Sequence, residues 1–373
     1  MNISTLASTD SNDQARQPMY HGYRIGQVVV GRYRLSQKIA QGSMGAVWLA
    51  RDVSFDIQVA VKLLHQTSND ASYARLYFAD RLIREARATA AVRHPAIVRV
   101  LDFGIDSSQD PYFVMELLDG HSLGRRLRRG GRVIPERAVQ VLLPVADGLA
   151  AAHALGIVHR DIKPDNLFLA REGHGRVQPK AIDFGLAKIC DGPPTHPVTG
   201  AGVLGTPEYM APEQVIDSST VDHRADVWGY CVVLYEMLSG AAPFTGRTCS
   251  EILRAVLDAE PESLTNAIGL DAGLWRIIER GLHKERSERW TSMHELGAAL
   301  ANWLTSRGVT EDVTGASLRT QWPTENTRLP WASVRVVHSR PSSESVPAYG
   351  KIHADSDDRE PRARADSHVC SRR

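Results

Sequence analysis

The chain has 373 residues, with 44 basic and 43 acidic side chains, a formal net charge of +1 and 43% hydrophobic residues. So even a balance sets up no global field to attract a polyanion, which argues against nucleic-acid binding, and the apolar content is enough for two folding units or one large bilobal one with tails. Cys190, Cys231, Cys249 and Cys370 show no C-x-x-C spacing, which excludes a ready zinc site or disulfide frame and fits a reducing cytoplasm. Residues 1–22 lack the basic start and apolar run of a signal peptide. No stretch of about 18 uncharged apolar residues occurs that could span a membrane. The longest apolar runs, 142–158 and 227–238, are interrupted by Asp147, His153 or Glu236.

Residues 1–22 are polar, and 1–32 are expected to form a flexible tail. From Tyr33 the pattern changes. Segments 33–39, 46–51 and 57–64 carry the alternating or continuous β-branched and aromatic positions of strands. A helix is predicted over 74–92, stopping before His94-Pro95. Two more strands are predicted at 97–103 and 112–116, which completes a small, mostly antiparallel lobe over 33–118. After Gly120 the pattern turns helical, and a larger helical lobe is expected over 119–305. Pro135 suits a first helical turn, and Pro144 should kink the helix that runs towards Leu155-Gly156. The apolar run 226–238 reads as a helix stopped at Ser239-Gly240. Ser292 and Glu295 have capping-box spacing ahead of a stripe formed by Met293, Leu296, Ala299, Leu300 and Trp303. Arg125, Arg126, Arg128, Arg129 and Arg132 read as a solvated helix end. Beyond Ser306 the composition shifts to Ser, Thr, Arg, Asp and Pro, and 306–373 is expected to be mostly disordered, with Trp322, Trp331 and the 334–337 run as the places where the tail would dock or bind a partner.

The chemistry concentrates in His159-Arg160-Asp161-Ile162-Lys163-Pro164-Asp165-Asn166 and, seventeen residues after its Asn, Asp183-Phe184-Gly185. Carboxylate, ammonium, amide and second carboxylate occur in that order. They are the groups that phosphoryl transfer from a metal-bound nucleotide requires: one to orient the attacking hydroxyl, a cation for developing charge, and oxygen ligands for a hard metal ion. Upstream, Ile39-Ala40-Gln41-Gly42-Ser43-Met44-Gly45-Ala46-Val47 lies between two predicted strands, where glycines let backbone N–H groups approach phosphate oxygens. Val59-Ala60-Val61-Lys62 follows.

Together these runs resemble the eukaryotic-like, bacterial-type serine/threonine protein kinase family over about residues 33–304. Gly205-Thr206-Pro207-Glu208-Tyr209-Met210-Ala211-Pro212-Glu213-Gln214 strengthens the likeness. One departure is Ala40 at the first glycine position of the loop. The resemblance implies an α+β bilobal kinase fold and transfer of the ATP γ-phosphate to protein Ser/Thr hydroxyls. It implies Asp161, Lys163 and Thr206 as catalytic residues, Thr206 bridging Asp161 and Lys163. Asn166 and Asp183 would hold Mg²⁺, with Mn²⁺ as an alternative. Ile39, Ala40, Gly42, Ser43, Gly45, Val47, Ala60, Lys62, Glu85, Met115, Glu116, Leu118 and Phe168 would bind ATP. Among these Lys62 would pair with Glu85, and Met115 would act as gatekeeper above a purine sandwiched by Val47, Ala60, Leu117 and Phe168. Glu213 and Arg289 would form a buried ion pair, and Asp226 would anchor the catalytic loop. Thr199, ahead of Thr195, is the expected activation-loop phosphosite, to pair with Arg160. The expected partners are protein substrates and a transient homodimer for trans-autophosphorylation, with no nucleic acid and no membrane span, in the cytoplasm. The competing reading is a pseudokinase scaffold, whose mark would be loss of Lys62, Asp161 or Asp183; all three are present. A P-loop NTPase is disfavoured because Gly350-Lys351 is followed by Ile352, and a zinc hydrolase because Ala298 stands where His294-Glu295 would require a second histidine.

Overall fold

The computed structural model describes residues 22–42, 45–64, 87, 89–106, 110–184 and 206–323. Six strands form an antiparallel sheet: β1 (Val28–Val29), β2 (Tyr33–Gly42), β3 (Gly45–Asp52), β4 (Ile57–Leu64), β5 (Val100–Ile105) and β6 (Pro111–Glu116), in the order β1-β2-β3-β4-β6-β5. Residues directly opposite in an antiparallel ladder share a face. The Trp48–Val61–Val114 row therefore lies on one face, and Tyr33, Leu35, Ala50, Val59, Leu63 and Tyr112 join it in a core cluster. The Val47–Lys62–Phe113 row lies on the other face, next to Leu49–Ala60–Met115.

The expected strand 97–103 starts late, at Val100, because Ile97 and Val98 belong to a different ladder. Ile97 bridges Ala181 in parallel, and the Val98 N–H donates to the Ala181 carbonyl at 3.0 Å. Of the expected 74–92 helix, the described residues 87 and 89–91 are helical and the rest lies outside the described residues.

The second body opens with a small sheet absent from the sequence-based expectation: β7 (Gly120–Ser122), β8 (Leu167–Arg171) and β9 (Val177–Ala181), all antiparallel. Around it pack α1 (Leu123–Gly130), α2 (Pro135–Ala154), α3 (Pro212–Ile216), α4 (Arg224–Ser239), α5 (Cys249–Asp258), α6 (Leu264–Ile268), α7 (Ala272–Gly281), α8 (Met293–Ser306) and α9 (Leu318–Gln321). Helix α4 is apolar on nearly every side and forms the centre of this core, with Trp228 stacked on Phe244 at 5.3 Å. It ends at Gly240, whose φ of 88° turns the chain out of the helix. At the start of α8, Ser292 Oγ accepts the Glu295 N–H at 3.1 Å, which forms the predicted cap.

Order among the described residues runs past the expected lobe bounds at both ends. Tyr23 and Val29 are buried, and the Tyr23 hydroxyl donates to Asp106 Oδ2 at 2.5 Å, so order begins before residue 33. At the other end order extends past 305: Leu318 and Trp322 are buried, and the Asp312 side chain caps the turn below them by accepting the N–H groups of Thr314 and Ala316. Pro144 explains part of this docking. It has no N–H for the Gln140 carbonyl four residues earlier. That carbonyl instead accepts the Val313 N–H at 3.2 Å, and Gln140 Nε2 donates to the Glu311 carbonyl at 2.9 Å. Helix α2 continues through the proline.

Candidate active site

The loop between α2 and β8 is held by α4. Asp226 is fully buried, and its carboxylate accepts the backbone N–H of His159 at 2.8 Å and of Arg160 at 2.7 Å. Burial pushes its pKa up, but the hydrogen bond from His153 at 2.7 Å, the neighbouring His153 and His159 and the His159 N–H outweigh that and hold it below the ordinary carboxylate range. The anchor fixes Arg160 at φ 66°, a left-handed conformation that an L-residue adopts only under constraint. Gln214 Nε2 donates to the Arg160 carbonyl from α3 at 2.8 Å.

Below the anchor, His159 orients both catalytic-loop chemistry and β9. Its Nδ1 accepts the Asp161 N–H at 3.3 Å, so in the neutral ring Nε2 carries the proton and donates to the Ile182 carbonyl at 2.9 Å. The ring lies 4.4 Å from that of Phe184. Asp183 follows at φ 64°.

The predicted polar groups converge. Lys163 Nζ donates to both carboxylate oxygens of Asp161, at 3.0 and 2.8 Å. Asn166 Nδ2 donates to Asp161 Oδ2 and to the Asp161 carbonyl, both at 2.8 Å. Because the amide nitrogen is committed there, Asn166 Oδ1 is the atom left free to accept a cation. Lys62 Nζ lies 2.8 Å from Asp183 Oδ1. Its expected partner Glu85 lies outside the described residues, as do Ser43, Thr195, Thr199 and Gly185. Asn166 Oδ1 and the second Asp183 oxygen are hard donors, and they fit a divalent ion of the Mg²⁺ class.

Val47, Ala60, Lys62 and Met115 share the sheet face opposite the small-lobe core. Phe168 pairs with Lys180 in the β8–β9 ladder, and Lys180 Nζ donates to Glu116 Oε1 at 3.0 Å. Leu117 is exposed and Leu118 half-buried in the segment that leaves β6. Ile39, Ala40 and Gly42 line the exposed end of β2, and Ala40 sits opposite Val47 without positive φ. Gly45 has the stronger requirement for glycine. At φ 147°, a Cβ there would sit 2.0 Å from the Leu63 carbonyl oxygen.

Thr206 departs from the expected geometry. Among the described residues its hydroxyl makes no hydrogen bond to Asp161 or Lys163; it precedes the turn Pro207–Tyr209 and accepts the Tyr209 N–H on its carbonyl at 3.2 Å. Asp161 Oδ1 accepts from Lys163, and Oδ2 accepts from Lys163 and Asn166. The expected ion pair forms in full: Arg289 is completely buried and donates in parallel to the two Glu213 oxygens, each at 2.8 Å.

Lys180, Gln214 and the Arg128–Asp165 pair were not singled out from sequence. Gln214 stands in a quoted motif. Lys180 carries no local signal, since only the β8–β9 register brings it under Glu116.

A family model described as protein kinase domain matches residues 33–300. Serine/threonine-protein kinase pkn2 of Myxococcus xanthus is 40% identical over 278 residues, which is 74% of this chain and 32% of that protein. Serine/threonine-protein kinase Pkn1 of the same organism is 38% identical over 273 residues, covering 72% of this chain and 38% of its own. Serine/threonine-protein kinase PknA of Mycobacterium tuberculosis is 37% identical over 284 residues, or 74% and 62% of the two chains. The chain thus spans about a third to three fifths of the length of these relatives. Protein kinases as a family use ATP, a divalent metal ion and protein substrates. With its antiparallel small lobe, helical large lobe and converged catalytic loop, the chain belongs to the protein kinase domain family, among the bacterial serine/threonine kinases.

Proposed function

We propose that the chain transfers the γ-phosphate of ATP to serine or threonine hydroxyls of protein substrates. The observation that carries this reading is the Asp161 carboxylate held between Lys163 Nζ and Asn166 Nδ2, beside the Lys62–Asp183 pair. Asp161 orients the incoming hydroxyl and takes its proton. Lys163 neutralises charge that builds on the transferred group. Lys62 steadies the α- and β-phosphates. Asn166 Oδ1 and Asp183 would hold Mg²⁺, which would draw negative charge from the phosphate oxygens. Val47, Ala60, Met115, Leu117 and Phe168 enclose the purine, and backbone groups at Glu116 and Leu118 fix its edge. Thr206 helps to seat the substrate hydroxyl once a substrate competes for Asp161. The named activity of the bacterial relatives supports the same assignment.

Loop autophosphorylation at Thr199 within a transient homodimer, and a cytoplasmic location without nucleic-acid partners, belong to the same proposal. Among the described residues no helix is long and apolar enough to cross a membrane. The test is transfer of labelled phosphate from ATP to a mixed protein substrate and to the chain itself, compared with Asp161→Asn. A fall of about 10²–10⁴-fold is expected for loss of a positioned base. Equal incorporation by the two proteins would favour the scaffold reading.

A further inference from the structure

The ordered segment beyond α8 reaches the junction between the lobes through one carboxylate. Gln321 Nε2 donates to Asp147 Oδ2 at 2.8 Å, and His94 Nε2 meets the same oxygen at 3.0 Å. His94 Nδ1 accepts the Ala96 N–H at 3.1 Å, so the neutral ring carries its proton on Nε2 and donates it to Asp147. Ala96 in turn holds β9: its carbonyl accepts the Ala181 N–H at 2.8 Å, and the Ala181 carbonyl accepts Val98 N–H at 3.0 Å. Ile182 follows, tied to the Asn166 carbonyl and to His159, and Asp183 comes next. Hydrogen bonds thus run from Gln321 to Ala181, and two residues of backbone carry the path on to Asp183.

The path has little slack. Gly148 lets α2 approach so closely that a Cβ there would lie 3.1 Å from His94 Nδ1. On the far side, Trp322 presses on the bare face of α8 at Gly297 and lies 5.4 Å from the His294 ring. The docking is less complete than the core. Gln321 Oε1, Trp322 Nε1 and Asp312 Oδ2 are buried without a hydrogen-bond partner among the described residues. A contact of that kind can be released without unfolding the lobe beneath it.

We propose that residues 311–322 act as a clamp that sets the position of Asp183 through the Gln321–Asp147–His94 bridge, which makes Gln321 and Asp147 positioning residues for phosphoryl transfer. This rests on the kinase reading above. With the clamp docked, both donors pull on one Asp147 oxygen and the 94–98 loop is held against β9. With it released, the Asp147 carboxylate keeps only the His94 bond and can turn, so the 94–98 loop is held less firmly and β9 gains freedom at the residue before Ile182.

The full chain carrying Gln321→Leu tests this. Expected are a fall in kcat of about threefold to tenfold, within the range of remote coupling effects, and a higher Mg²⁺ concentration for half-maximal rate. The KM for protein substrate should not change. Asp147→Asn keeps an acceptor oxygen and should retain most of the rate, whereas Asp147→Leu should mimic Gln321→Leu. In a double-mutant cycle, Gln321→Leu and His94→Phe should be non-additive in kcat, because each breaks the same bridge. A folded Gln321→Leu protein with unchanged kcat and unchanged Mg²⁺ dependence, or one with a lowered Tm alone, would overturn the clamp while the kinase reading stands. Absence of transfer by the unmodified chain would bring down both. Gln321 is only half-buried, so its variant provides the reading even where Asp147→Leu does not fold.

Discussion

Asp226 holds Arg160 in a left-handed conformation by accepting its N–H at 2.7 Å, and the same carboxylate accepts the N–H of His159. One buried acid on the central helix therefore sets the direction of the loop that carries Asp161. Replacing Asp226 by Ala orphans two buried donors at about 1–3 kcal/mol each and should abolish transfer together with that stability. The pKa of Asp226 is depressed in the fold, so its contribution is complete above the unfolded value of about 4 and is lost as pH falls through the lower folded value. Acid unfolding of the wild type should show this loss below about pH 4, and the Asp226→Asn protein should lack that component. Superimposable acid transitions would contradict it.

Lys62 and Asp183 face each other at 2.8 Å across the two lobes. Lys62→Met removes the cation and leaves its apolar stem, so transfer should fall by about 10²–10³-fold with the circular dichroism spectrum unchanged. Single-turnover kinetics would check this, and a fall in Tm large enough to account for the lost rate would argue for a purely structural lysine.

Arg289 donates to both Glu213 oxygens and to the carbonyls of His283, Arg224 and Lys284, all from a fully buried position. Lysine has no fork to reproduce these bonds. Arg289→Met should cost about 3–5 kcal/mol because Glu213 is left without its partner, and Arg289→Lys, which keeps the charge but not the fork, should cost less. Thermal denaturation should show a Tm lower by about 10 °C.

Glu236 accepts the Tyr209 hydroxyl at 2.7 Å. Burial raises its pKa, and Asp165 and Glu208 add to the effect while the Tyr209 bond opposes it. A carboxyl raised in the fold stabilises fully below its unfolded pKa and less as pH climbs through the folded value. Glu236→Gln keeps the acceptor without the charge. It should be more stable than wild type at neutral pH and should flatten the stability profile above the unfolded carboxyl range. Chemical denaturation at pH 4 and pH 7 decides the sign.

Gly297 leaves the space that Trp322 fills, since a Cβ there would fall 2.2 Å from the indole. Gly297→Ala favours the isolated helix but should displace Trp322. Expected are faster limited proteolysis within 307–323 and a red-shifted tryptophan emission. Unchanged proteolysis would show that the indole finds room elsewhere.

The large elements and the catalytic loop could be read from sequence because their signals are local. The β-branched and apolar run 57–64 fits β4 at both ends, and the spacing of Ser292 and Glu295 marks the start of α8. The order of acid, base and amide in 159–166 names a chemistry before any geometry is known. Three features could not be read in this way. The 97–103 run carries Ile97, Val98, Val100, Leu101 and Phe103 with no local break, and only Ala181, far along the chain, draws Ile97 and Val98 away from β5. Residues 22–32 and 306–323 have the composition of loops, and their order comes from acceptors elsewhere: Asp106 for Tyr23, Gln140 for Val313 and Asp147 for Gln321. Thr206 reads as a partner of Asp161, yet in the fold that carboxylate bonds Lys163 and Asn166 while the Thr206 carbonyl starts the turn to Tyr209.

By itself the sequence determined which side chains are available for phosphoryl transfer and in what order they follow one another, since residue type and short-range spacing are properties of the chain. Tertiary structure alone decided which of them pair. Hydrogen-bond partners such as Lys62 and Asp183, Lys180 and Glu116, or Gln321 and Asp147 are far apart in sequence, and no local pattern records a contact that exists only after the chain has closed on itself.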